Sequence, residues 1–124
     1  MRIPTAEEYK AALTKIRISD KQREMLKAHY NAHNRAITFT RLAKATGENN
    51  SFRAANANYG KLGAKLGKAL DFPFVDLNPE KGTKFQSSAI GMGIPAAYSS
   101  CNEFELVMHH ELAKALDQLN WFPA

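Results

Sequence analysis

Apolar residues recur at spacings of three and four over most of the chain and alternate in only a few short stretches. That pattern predicts a mainly helical domain with a small β component. Two S/T-x-x-E/Q capping boxes open it, Thr5 with Glu8 and Ser19 with Gln22, each able to satisfy free backbone N–H groups of a first helical turn. After the first, Tyr9, Ala12, Leu13 and Ile16 share a face, which predicts a helix over about residues 5–17. After the second, Met25, Leu26, Tyr30 and His33 extend an apolar stripe to about residue 33, where Asn34-Arg35-Ala36 breaks the pattern. A short helix over 39–46 follows, carrying Leu42, Ala43 and Ala45, capped by Thr38 or Thr40 and ended by Gly47. Glu48-Asn49-Asn50 reads as a turn, and Ser51 as the cap of the next helix.

That next helix, over 52–70, is the most informative segment. Phe52, Ala55, Tyr59, Leu62, Leu66 and Leu70 fall on one side. About 130° away, Asn58, Lys61, Lys65 and Lys68 form a second stripe. Gly60, Gly63 and Gly67 form a third, on the flank of the apolar face. Each glycine costs a helix up to about 1 kcal/mol relative to alanine, so three in a stripe imply close backbone approach, to another helix or to a phosphate backbone.

Beyond Asp71 the character changes. Pro73 stops the helix, and Phe72–Leu77 reads as extended. Pro79-Glu80-Lys81-Gly82 is a turn signal. Strands are expected at Lys84–Gly91 and Glu103–Met108, where Phe104, Leu106 and Met108 alternate with Glu103, Glu105 and Val107. The glycine-bearing stretch from Gly91 to Ser100 between them reads as loop. A last helix over 110–119 presents Leu112, Leu116 and Leu119, with Trp121 and Phe122 as a C-terminal anchor. Phe52, Tyr59, Leu62, Leu66, Leu112, Leu116 and Trp121 are expected in one core. Helices, a β-hairpin and a final helix, with a short helix and a glycine-bearing turn ahead of the long one, outline a winged helix-turn-helix: a single α+β domain over 1–124, mainly α with a small β-hairpin.

Composition agrees. The 124 residues suit one domain large enough to fold without disulfide or metal, and 44% hydrophobic residues exclude a disordered chain. No apolar run approaches the roughly 20 residues of a membrane span, and the first residues lack the apolar core of a signal peptide. With the lone Cys101, this predicts a cytoplasmic protein. Charge adds more. Seventeen Lys and Arg against twelve Asp and Glu give +5, which excludes an acidic nucleic-acid mimic and favours a polyanionic partner.

The long helix would supply that contact to double-stranded DNA. Lys61, Lys65 and Lys68 are placed for phosphates, and Arg53, Asn56 and Asn58 for bases or sugars. The competing reading is a solvated lysine face. Elsewhere the chemistry is thin. His29 and His33 have metal-ligand spacing, but Tyr30 stands where a zinc protease needs Glu and no third ligand follows; His33 reads as a packed histidine. Neighbouring helical side chains diverge by about 100°, so His109 and His110 do not make a chelate by themselves and His109-His110-Glu111 reads as a helix start; a nucleophile pair of Cys101 with one of these histidines is the alternative, with nothing else to support it. Gly91-Met92-Gly93 lacks the residues of a phosphate loop, and no carboxylate pair stands out. No enzyme, cofactor or metal is expected, and the oligomeric state is not legible.

Ile18 to Tyr30, Ile37-Thr38 with Leu42-Ala43, and Ala55-Asn56 with Tyr59-Gly60-Lys61-Leu62-Gly63 resemble an N-terminal domain of bacterial HNH-endonuclease-like and restriction-associated proteins. Glu111 to Leu116 with Leu119-Asn120-Trp121 resembles the end of the same unit. The resemblance implies a DNA-associated winged-helix-like domain. Only three residues follow Trp121, so no nuclease module is expected, and the chain would be a stand-alone relative or an excised domain. A mobile-element or phage-defence setting follows. It leaves a second function open: a protein-binding module, such as a phage-encoded, anti-CRISPR-like inhibitor of a bacterial defence nuclease.

Overall fold

The computed structural model describes residues 2–47, 52–78, 80, 82–99 and 101–123. The expected turn at Glu48-Asn49-Asn50 and the cap at Ser51 lie outside the described residues, as do Pro79 and Lys81.

Local signals set the helix starts. Helix α1 (Ala6–Lys15) and α2 (Asp20–Asn31) both begin on complete capping boxes, with Thr5 paired to Glu8 and Ser19 to Gln22. Strand β1 (Ala36–Thr38) leads into α3 (Phe39–Ala45), where the Thr38 hydroxyl accepts from the Arg41 N–H; Thr40 is not the cap. Gly47 then takes a left-handed φ of 72°. Helix α4 (Phe52–Leu70) has the expected bounds. After it come β2 (Val75–Asn78), β3 (Thr83–Phe85), a 3₁₀ turn (Gln86–Ala89), β4 (Gly91–Ile94), β5 (Glu105–Met108) and α5 (His110–Gln118). Among the described residues no helix is long and apolar enough to cross a membrane.

The β structure is larger than the sequence suggested. β1, β5 and β4 form an antiparallel sheet in that order, with Ile37 opposite Leu106 and Gly93 opposite Leu106 on the other side. β2 and β3 form a separate two-stranded ribbon. The expected strand Lys84–Gly91 is broken by the 3₁₀ turn, and the expected loop from Gly91 begins as a strand instead. Its glycines hid it. A Cβ on Gly91 would lie 2.3 Å from the Val107 carbonyl oxygen, so the close pairing needs the residue that carries no strand signal.

The core joins all five helices and the sheet. Tyr59, Leu62, Leu66, Leu112 and Leu116 are buried in it, with Tyr9, Met25, Leu26, Leu42 and Leu106. Trp121 is half-buried against its edge. Phe52 is not in the core: at the first residue of α4 it is 51% exposed, whereas Ala55, three residues on, is fully buried. His33 is also outside. α2 ends at Asn31, and the left-handed Asn34 and Arg35 (φ 55° and 52°) turn the chain away, leaving His33 exposed. His29, one turn earlier, is the packed histidine.

Candidate nucleic-acid interface

Four environments surround α4. Tyr59, Leu62 and Leu66 face the core. Gly63 and Gly67 of the glycine stripe pack against the 86–89 turn and Phe74, neither a second helix nor a vacant surface. A Cβ on Gly63 would lie 2.3 Å from the Gln86 carbonyl oxygen, and one on Gly67 2.2 Å from the Phe74 ring. Gly60 is looser, with the Gln86 Cβ 3.9 Å away. The turn is held from behind as well. The Tyr9 hydroxyl donates to the Ala89 carbonyl (2.8 Å), and His109 Nε2–H donates to that of Ser88 (2.8 Å). His109 therefore anchors a wall of the site, and burial lowers its pKa. Cys101 is exposed, with its Sγ 3.1 Å from Ser99 Oγ, and no hydrogen bond joins it to His109 among the described residues.

The third side of α4 faces α2. There Lys65 Nζ donates to the Arg17 carbonyl (2.6 Å) and to Gln22 Oε1 (2.8 Å). Gln22 Nε2 in turn donates to Asn58 Oδ1 (3.2 Å). Asn58 and Lys65 thus fasten α4 to the start of α2, through the same glutamine that closes its capping box.

The fourth side is open. Arg53, Asn56, Ala57, Gly60, Lys61 and Ala64 form one wall of a groove of about 950 Å³. The start of α3, β3 with the 86–89 turn, and the residues before β5 form the other. Phe39 and Phe104 lie parallel in it (6.2 Å, 3°), and Phe85 meets Phe104 edge-on (5.7 Å). Phe52 also lines it. Glu103 is the sole carboxylate among the lining residues, and it accepts from the Thr40 hydroxyl at 2.8 Å. Arg53 and Lys61 are exposed at the rim, and Lys68 is exposed further along α4. None of these three cations has a hydrogen-bond or ion-pair partner among the described residues.

The six expected contact residues therefore divide. Arg53, Asn56 and Lys61 come together on the groove, Lys68 extends their side, and Asn58 with Lys65 belongs to the α2 junction. Sequence reasoning missed the four phenylalanines, which no local pattern unites. Phe104 even alternated with the inward Leu106 and Met108, yet it is 37% exposed.

His29 and Tyr59 make a buried polar pair behind α4. The Leu106 carbonyl only accepts, so His29 Nε2 must carry the proton (2.9 Å) and Nδ1 accepts from the Tyr59 hydroxyl (2.8 Å). Burial pushes the His29 pKa down to about 4. The side chain is committed to the fold on both ring nitrogens, whereas His33 stands in solvent; the two do not share a site.

In comparisons with known proteins, no family model, no curated protein and no solved structure matches this chain.

Proposed function

We propose that this chain is a non-enzymatic winged-helix DNA-binding domain of a restriction, defence or mobile-element system, with α4 as its recognition helix. One observation carries the reading. The order α2, β1, α3, α4, β4, β5, with sheet order β1-β5-β4, puts the strand before the helix pair beside the second strand of the hairpin that follows it. In a winged helix this leaves the second helix of the pair free on one side, flanked by the hairpin tip. The exposed side of α4 carries Arg53, Asn56, Lys61 and Lys68.

On this reading Lys61 and Lys68 contact phosphates of double-stranded DNA, while Arg53 and Asn56 reach bases or sugars. Lys65 and Asn58 hold α4 in place for them. Docking on a protein is favoured by a different observation, the phenylalanine lining of the groove. Salt dependence separates the two. Titration of a labelled duplex at several salt concentrations should give a steep slope that shrinks by roughly 0.9 for each phosphate contact removed, hence about 1.8 in the double variant K61A/K68A. Absence of duplex binding at low salt would transfer the proposal to a protein partner.

A further inference from the structure

The groove asks for an occupant that a stacked duplex does not offer. Resting on the DNA reading above, we infer that it takes unstacked nucleobases: an extrahelical base, or a short single strand leaving the duplex that α4 contacts.

Its apolar lining is of one kind. The large apolar side chains are all phenylalanines, and the remainder are the small Ala57, Gly60 and Ala64; no Leu, Ile, Val or Met lines it among the described residues. Grooves that seat an amphipathic peptide helix present apolar surface to anchors spaced along that helix, which aliphatic side chains supply as well as rings. Flat rings opposite a shelf of small residues suit a planar heteroaromatic, whose gain comes from stacking. Phe52 and Phe104 leave 51% and 37% of their surface in water, so both have surface left to cover.

Charge points the same way. Arg53 and Lys61 stand exposed on the rim, where a strand entering the groove would bring its phosphates, and the one lining carboxylate is engaged by Thr40. Asn56 sits between them on α4 with a donor and an acceptor, the pair of functions that reads a base edge. Aromatic surface inside a cationic rim is the combination that sequence-tolerant single-strand binding uses. At about 950 Å³ the volume lies near the top of the roughly 300–1,000 Å³ range of small-molecule clefts, room for more than one nucleotide.

The test compares three fluorescein-labelled DNAs by anisotropy at one low salt concentration: an intact duplex, the same duplex with one unpaired adenine, and its single strand. Wild type should bind the bulged duplex and the single strand about ten-fold tighter than the intact duplex, a size set by stacking on an aromatic side chain. Phe52→Ala should erase that preference, so that the bulged duplex and the single strand bind no tighter than the intact duplex does to the same variant, and Phe52→Tyr should keep it. Melting of each variant controls for folding, and the exposure of Phe52 makes a change there small. Equal binding of intact and bulged duplex by wild type overturns the inference and leaves the DNA reading standing. A preference that survives Phe52→Ala also overturns it, by placing the base elsewhere. Failure to bind any of the three DNAs overturns both, and leaves a peptide as the occupant to try.

Discussion

On the flank of α4 that faces α2, Lys65 is held by the Arg17 carbonyl and Gln22, and Asn58 by the Gln22 amide. On the flank that faces the groove, Lys61, four residues earlier and only about 40° round the helix from Lys65, stands exposed beside Arg53 and Asn56. The residue types are the same; their surroundings are not. Whether a helical lysine serves the fold or a ligand is decided by which carbonyls come within reach of its ammonium, and that depends on where a second helix is docked. A stripe of like charges on a helical wheel is therefore a set of candidates, to be sorted by packing before any is assigned to a partner.

The largest expected effect contrasts the inner side of α4 with its outer end. Leu62→Ala removes a fully buried side chain and should cost about 2–5 kcal/mol in denaturant unfolding. Phe52→Ala, at a larger but half-exposed ring, should cost less than about 1 kcal/mol. Equal losses would return Phe52 to the core and take it out of the groove lining.

Acid titration probes the buried polar pair behind the same helix. The folded state keeps His29 neutral down to about pH 4, whereas the unfolded chain protonates it near 6.5. Unfolded chains therefore bind the extra proton between those values, so stability is complete above about pH 6.5 and falls as the pH drops toward 4. The loss is on the order of 3 kcal/mol, with His109 adding in the same direction. Unfolding free energies measured across that window should show the decline, and His29→Gln should flatten most of it. A wild-type profile flat from pH 7 to about 4 would mean that His29 is hydrated in solution.

The glycines sharpen the contrast along one stripe. Gly63→Leu must displace the backbone of the 86–89 turn and should destabilise by about 1–3 kcal/mol or more. Gly60→Ala meets only ordinary contact and should stabilise by up to about 1 kcal/mol through helix propensity. Thermal melts of the two variants should move in opposite directions. A stabilising Gly63→Leu would show that the turn does not pack against α4.

Much of this was legible before any coordinates, and the boundary has a physical cause. Capping boxes act within one helical turn, so α1 and α2 begin where Thr5 and Ser19 predict. The periodicity over about 52–70 predicts α4 close to its observed bounds, Phe52–Leu70. Strand β4 escaped because Gly91 and Gly93 are chosen for closeness to β5 and to Phe104 rather than for strand propensity. The groove escaped because Phe39, Phe52, Phe85 and Phe104 meet only through tertiary packing. The separate fates of Lys61 and Lys65 were hidden for the same reason: both ligands of Lys65, Arg17 and Gln22, come from a different part of the chain.

The smallest effect bears most directly on the central claim, that the two flanks of α4 have separate tasks. Lys65→Ala and Lys61→Ala should be compared side by side, each by thermal unfolding and by duplex titration over a range of salt. Lys65→Ala should lower stability by about 1 kcal/mol, since it removes a charged donor from the part-buried Gln22 amide and from the exposed Arg17 carbonyl, and leave the salt slope nearly as in wild type. Lys61→Ala should leave the melting temperature nearly unchanged and reduce the slope by roughly 0.9. The reverse assignment, with stability lost at Lys61 and the slope lost at Lys65, would contradict the account.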